Sequence, residues 1–114
     1  MPSAILTVDV AHPPRHPDDV EDELLHAWSQ VRNSSSLRIL KIIHGYGSSG
    51  KGSATKDVVC NWIFRNRNKF KQTIDGENYN LYNASTQEMR KQVKAYTDVD
   101  LGSGNEGITI VWVK

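Results

Sequence analysis

Apolar positions along the chain change their spacing several times, and each change marks an element. In residues 4–10 (Ala-Ile-Leu-Thr-Val-Asp-Val) apolar side chains fall on both parities, and Asp9 is the one charge among them. That is the pattern of a strand covered on both faces. Residues 11–17 hold three prolines and predict a stiff loop, because proline suits neither a sheet nor a helix interior. From Pro17-Asp18 the spacing turns helical, with Val20, Leu24, Ala27, Trp28 and Val31 on one stripe. Asp18 with Glu21 reads as a capping box, and the acids in 18–23 suit a helix N-terminus. The run Asn33-Ser34-Ser35-Ser36 ends that helix.

A second apolar run at 37–43 predicts another strand. A glycine-rich stretch follows, and then a helix from about Ser53 to Asn66, with Ala54, Val58, Val59, Trp62 and Ile63 inward. Arg65, Arg67, Lys69 and Lys71 form a basic tail. After the turn signal Asp75-Gly76, a strand is expected around 79–82. Ser85 with Glu88 reads as a capping box opening a third helix over 85–97, with Met89, Val93 and Tyr96 on one face. Residues 102–107 form a turn, and 108–113 form the last strand. Alternating strands and helices imply an α/β fold whose sheet starts parallel and is covered by its helices.

At 114 residues the chain is one domain with a modest core. Its 38% apolar and 24% charged residues are ordinary for a globular chain. No apolar run approaches a membrane span, and the start is neither basic nor long enough for a signal peptide. Cys60 is the only cysteine, which favours a reducing, intracellular (cytoplasmic) setting. Charge changes the picture more. Residues 1–37 carry −4 and residues 72–114 carry −2, whereas 38–71 hold eight Lys/Arg against Asp57 alone, a net +7. A basic block around a glycine loop points to a polyanion; a solvated basic helix face is the plain alternative.

The candidate chemistry gathers at 37–53. A strand, a glycine loop and a helix start bring backbone N–H groups and a positive helix end towards a phosphate. Residues 45–52 fit the GxxxxGK spacing of a nucleotide-binding loop, but Gly52 stands where the metal-holding Ser or Thr belongs, so a P-loop-like nucleotide-binding protein is the weaker reading. Gly45 and Gly47 suit positive φ or close approach to a phosphate, or a plain tight turn. Tyr46 suits stacking on a base, or covering the loop. Lys51 and Lys56 are candidate phosphate contacts; Arg65, Arg67, Lys69 and Lys71 are a second set or a solvated tail. Asp9 interrupts an apolar strand near its end, where it binds a metal, orients a water or a general base, or caps the next loop. His12 is an acid–base candidate or an idle loop histidine. His44 closes the second strand at the sheet's C-terminal edge, where α/β sites gather, and a functional role outweighs a structural one. His26 lies inside a helix and reads as inert. Trp28, Trp62 and Trp112 fall at core spacings. Cys60 reads as buried or inert.

Three segments carry a family resemblance. Ile42-Ile43-His44-Gly45-Tyr46-Gly47, followed by a helix with Trp62-Ile63, resembles the HGxG segment of the small MutS-related (Smr) domain. Residues 104–113 are similar to that family's glycine-rich GGxGxTxVxL ending, and Val8-Asp9-Val10 occupies the place of its LDLHG motif. The resemblance implies a two-layer α/β sandwich like the C-terminal domain of translation initiation factor three. The expected form is an about four-stranded mixed sheet with two main helices and an added short helix. It also implies binding to DNA or RNA, with nicking endonuclease activity in some members. A nuclease of this kind raises a divalent metal as a cofactor, with Asp9 the one residue that suits binding it. The family's Asp-x-His needs histidine at 11, where this chain has Ala11; His12 comes one residue late and on a strand faces the other way. Nicking is therefore expected to be weak or absent, with Asp9, His12 and His44 as the catalytic candidates. The competing class is a non-catalytic module within a longer protein or larger assembly.

Overall fold

The computed structural model describes residues 4–13, 15–45, 54–93 and 98–114. Strands β1 (Ile5–Asp9), β2 (Ile39–Ile43), β3 (Phe70–Asp75) and β4 (Ile108–Val113) form one sheet in the order β1-β2-β4-β3. β1 and β2 are parallel, joined through helix α1 (Pro17–Arg32). β4 runs antiparallel to both β2 and β3, so the sheet is mixed and open. Helix α2 (Ala54–Arg65) follows β2, and helix α3 (Ala84–Gln92) follows β3.

The two faces of the sheet are covered differently. α1 and α2 lay Val20, Leu24, Ala27, Val31, Val59 and Trp62 over Leu40, Ile42, Val111 and Val113. Leu24 is fully buried there, and its truncation to Ala would cost about 2–5 kcal/mol. Tyr79, Met89, Val93 and Leu101 cover Ile39, Ile74, Ile108, Ile110 and Trp112 on the other face. Burial on both faces explains why β2 and β4 are almost continuously apolar. The architecture fits the expected two-layer sandwich of one sheet and two main helices, with α3 added behind.

Four local expectations are corrected. α1 is capped by His16, whose Nδ1 accepts the Asp18 N–H at 3.1 Å, with Pro17 in the first turn; Asp18 is already inside the helix. α3 is capped by Asn83, whose side chain accepts the Thr86 N–H at 2.9 Å, and not by Ser85, whose hydroxyl donates to Gln72. The third strand is Phe70–Asp75 rather than 79–82. A bulge between Phe70 and Gln72 puts Phe70 on the α1/α2 face and Ile74 on the α3 face, which hides the strand's alternation. Tyr79 is buried, but Leu81 and Tyr82 are exposed in a turn. The third helix stops at Gln92 with Val93 as its extended cap; the rest of the expected 85–97 helix lies outside the described residues.

Glycine is indispensable at the turn after β3. A Cβ on Gly76 would stand 1.8 Å from the Asn105 carbonyl oxygen and 2.8 Å from that of Ile108. Only a residue without a side chain lets this turn close on the start of β4.

Backbone bonds define the two ends of the sheet. At one end, the His44 and Gly45 N–H groups both donate to the Gly107 carbonyl, at 2.9 and 3.0 Å. At the other, Val113 N–H donates to Arg38 O at 3.0 Å and Lys114 N–H to Lys69 O at 3.2 Å. The first is the loop end and the second the basic end.

Candidate functional site

At the loop end the parallel pairing of β1 and β2 sets what meets what. Asp9 pairs with Ile43, and the Val10 N–H continues the ladder to the Ile43 carbonyl at 3.0 Å. The next residues on the two chains are therefore neighbours. A side-chain carbon on Gly45 would lie 3.9 Å from the Ala11 Cβ, in ordinary contact. Gly45 has φ of +72°, the left-handed region in which glycine carries no steric cost. The root of the glycine loop thus stands beside the loop that carries Asp9 and His12. Tyr46, Gly47 and Lys51 lie outside the described residues.

Asp9 ends its strand and turns the chain. Its Oδ1 accepts the N–H groups of Ala11 at 2.9 Å and His12 at 3.0 Å. This turn folds the His12 ring back, with Nδ1 3.0 Å from Asp9 Oδ2. The strand-parity objection to His12 therefore lapses, because the strand stops at Asp9. The carboxylate only accepts, so Nδ1 carries the proton in the neutral ring and Nε2 keeps its lone pair. The His12 side chain is 73% exposed, so that nitrogen is reachable from solvent. Partial burial pushes the Asp9 pKa up, but the Ala11 N–H and the His12 ring and N–H outweigh it, leaving it below the ordinary value. Asp9 is ionised at neutral pH.

Arg15, which no sequence motif singles out, braces this turn. Its Nη1 donates to Asp9 O at 3.3 Å and to Glu23 Oε1 at 2.6 Å, and its Nε donates to Pro13 O at 3.1 Å. One guanidinium thus ties the end of β1, the proline loop and α1 together. The one signal for it in the sequence is a lone arginine inside a rigid loop between an aspartate and an acidic helix start.

His44 does not join Asp9 and His12. Ile43 packs on the α3 face, so the next residue points to the α1/α2 face. His44 is 1% exposed, with Nδ1 2.7 Å from Gly45 O and Nε2 2.8 Å from Thr109 Oγ1. A carbonyl can only accept, so Nδ1 bears the proton and Nε2 accepts the threonine hydroxyl. Burial pulls the His44 pKa down, aided by the positive charge of Lys56; the Gly45 carbonyl and Asp75 oppose this and are outweighed. A neutral ring with both nitrogens engaged positions Gly45 and the end of β4.

The basic tail disperses. Arg65 pairs with Glu21, the Arg67 guanidinium lies 4.3 Å from the Phe64 ring centre, and Lys69 Nζ lies 4.6 Å from that of Trp28. Lys71 Nζ stands 4.9 Å from the Trp112 ring centre. Trp28 and Trp112 therefore hold cations as well as filling the core. Lys56 is on α2, next to the glycine loop in sequence. Cys60 is exposed rather than buried, and its pKa lies above the ordinary thiol value, through partial desolvation first and Asp75 next. It is a thiol at neutral pH and a poor nucleophile.

A buried ionic cluster sits on the α3 face, and no motif announces it either. Lys41 is 5% exposed, with Nζ 2.8 Å from Asp98 Oδ1 and paired also with Asp100. The Tyr79 hydroxyl donates to Asp98 Oδ2 at 2.9 Å. Burial alone would lower the Lys41 pKa, but the two carboxylates outweigh it and hold the pKa above the ordinary value. Its trace in the sequence is a lysine inside an apolar strand, whose partners lie 57 residues away for Asp98 and further for Asp100. The cluster clamps the segment at 98–101 to the sheet.

Among the described residues no three His, Cys, Asp or Glu side chains gather to hold a metal ion, and no helix is long and apolar enough to cross a membrane. No family model matches the chain, and no curated protein or solved structure matches it either.

Proposed function

We propose that the chain is a Smr-like nucleic-acid-binding domain that takes the phosphodiester backbone of DNA or RNA at the loop end. The observation that carries this reading is the juxtaposition of Gly45, at positive φ, with the Asp9–Ala11–His12 turn. A loop rich in glycine offers N–H groups to a phosphate. The adjacent carboxylate–imidazole pair offers an oriented base whose free nitrogen faces solvent. Lys51 and Lys56 supply charge on either side of the helix start.

A second reading, nicking of the bound strand, is favoured by the 3.0 Å separation of His12 and Asp9. His12 would draw the proton from an attacking water or a ribose 2′-hydroxyl, and Asp9 would hold the ring in place. The pair supports the reading because His12, one residue later than the family's Asp-x-His asks, reaches Asp9 through the turn. Cleavage is expected to be weak, because the pair is exposed and its electrostatic coupling is screened by solvent.

Fluorescence anisotropy with labelled single-stranded RNA and DNA across a salt series tests the binding. Affinity should fall steeply with salt. Lys51→Ala with Lys56→Ala should flatten the log–log slope by about 0.7 for each phosphate that is no longer neutralised. An unchanged slope would move the binding face elsewhere.

A further inference from the structure

The basic end holds a concavity of about 250 Å³, and its lining includes Arg32, Ser34, Arg38, Lys71 and Lys114. The cations come from the end of α1, the entry to β2, the bulge of β3 and the residue after β4. Strand pairing brings them together: Val113 and Lys114 bond back to Arg38 and Lys69. Among the described residues none that lines it is Asp or Glu. Among the described residues, no Asp or Glu carboxylate lies within ion-pair distance of Arg32, Arg38, Lys71 or Lys114, whereas Arg15, Lys41 and Arg65 are all paired.

Four like charges around one hollow repel one another, and no acidic side chain among the described residues lines the hollow to relieve that. The basic side chains are also held in place. Arg38 donates to the carbonyls of Ser34, Ser35 and Leu37, at 3.3, 3.1 and 2.8 Å. Lys71 rests on Trp112 and Arg32 rests 5.7 Å from the Trp28 ring centre. Such restraint reduces the side-chain entropy that binding an anion would otherwise cost.

We propose that this concavity is a binding site for a phosphomonoester, separate from the loop end and independent of the function proposed above. A monoester brings nearly two charges at neutral pH and three acceptor oxygens at a chain end, which suits a hollow lined by several cations. A backbone diester brings one charge and must pass through. Ser34 adds a hydroxyl donor on the rim. The phosphate comes either from the end of a nucleic-acid strand or from a small phosphorylated compound.

The test is a two-dimensional amide NMR titration of the full chain with inorganic phosphate, against sodium chloride of matched ionic strength. Saturable shifts should appear at Ser34, Arg38, Lys71 and Lys114, and Arg32→Gln with Lys71→Gln should weaken them about tenfold or more. Both variant positions are exposed, and the spectrum itself reports that the variant is folded. Titration with 5′-phosphorylated and 5′-hydroxyl oligonucleotides then assigns the source. A gain in affinity with the 5′-phosphate that disappears in the variant means a strand end. Equal affinities alongside phosphate binding mean a small compound. No saturable shift with phosphate in the native chain, or the same shifts in the folded variant, would overturn the site.

Discussion

The two ends of the sheet carry opposite kinds of chemistry. The loop end mixes both signs of charge and holds groups that orient one another: the Asp9–His12 pair, the Arg15–Glu23 pair, the buried His44 and a glycine at positive φ. Among the described residues the hollow at the basic end is lined by no acidic side chain and no histidine, and its cations lie on indoles and backbone carbonyls. One end sets a carboxylate against an imidazole, the other gathers cations alone. The two are built differently as well. The loop end comes from strand ends that a motif marks; the basic end is assembled from four separate segments.

The largest expected effect separates chemistry from binding. If the chain nicks nucleic acid, His12→Ala should lower the single-turnover rate by about 10²–10⁴-fold, while Arg32→Gln with Lys71→Gln leaves that rate unchanged. Relaxation of supercoiled plasmid and cleavage of a labelled single-stranded RNA measure it, with Asp9→Ala as the parallel variant. Cleavage that survives both Asp9→Ala and His12→Ala would move the chemistry away from the turn.

Next comes the ionic clamp at the middle of β2, between the two ends. Lys41→Ala strips the buried carboxylates of Asp98 and Asp100 of their partner and should cost about 3–5 kcal/mol in denaturant unfolding. The lysine's folded-state pKa is raised, so its contribution is full below the ordinary lysine value and is lost as pH climbs through the folded value. The alkaline limb of the stability profile should therefore flatten in Lys41→Met. A loss under about 1 kcal/mol would mean that the cluster is solvated, as at an exposed ion pair.

The smallest effect is confined to the loop end. The His44 pKa is depressed in the folded chain, so the unfolded chain takes up the proton first as pH falls through about 6.5. Stability should decline from there towards the folded value and then level off. His44→Gln should remove that step, while the variant at the basic end keeps it. A step that persists in His44→Gln belongs to another histidine.

Much of the fold is legible in the sequence because most elements carry one uninterrupted pattern. β1, α1, β2, α2 and β4 lie within about two residues of where periodicity puts them. β3 is not legible, because only Phe70 and Ile74 are buried and the bulge turns them to opposite faces. The helix caps are hard to see because His16 and Asn83 each sit two residues ahead of a more familiar signature. At the site, Asp9, His12 and Gly45 are visible as residues, but their meeting depends on a turn made by the Asp9 side chain itself. Arg15, the Lys41 cluster and the basic hollow depend on contacts between distant segments, which no local spacing announces.

In the function proposed above, nucleic acid lies against the loop end. An amide NMR titration with a 5′-hydroxyl single-stranded RNA tests it most directly, because that strand offers diesters and no monoester. Shifts centred on Ala11, His12, Gly45 and Lys56, with little change at Arg38 and Lys71, are the predicted result. Absence of saturable shifts at the loop end, or shifts confined to the basic end, would contradict it.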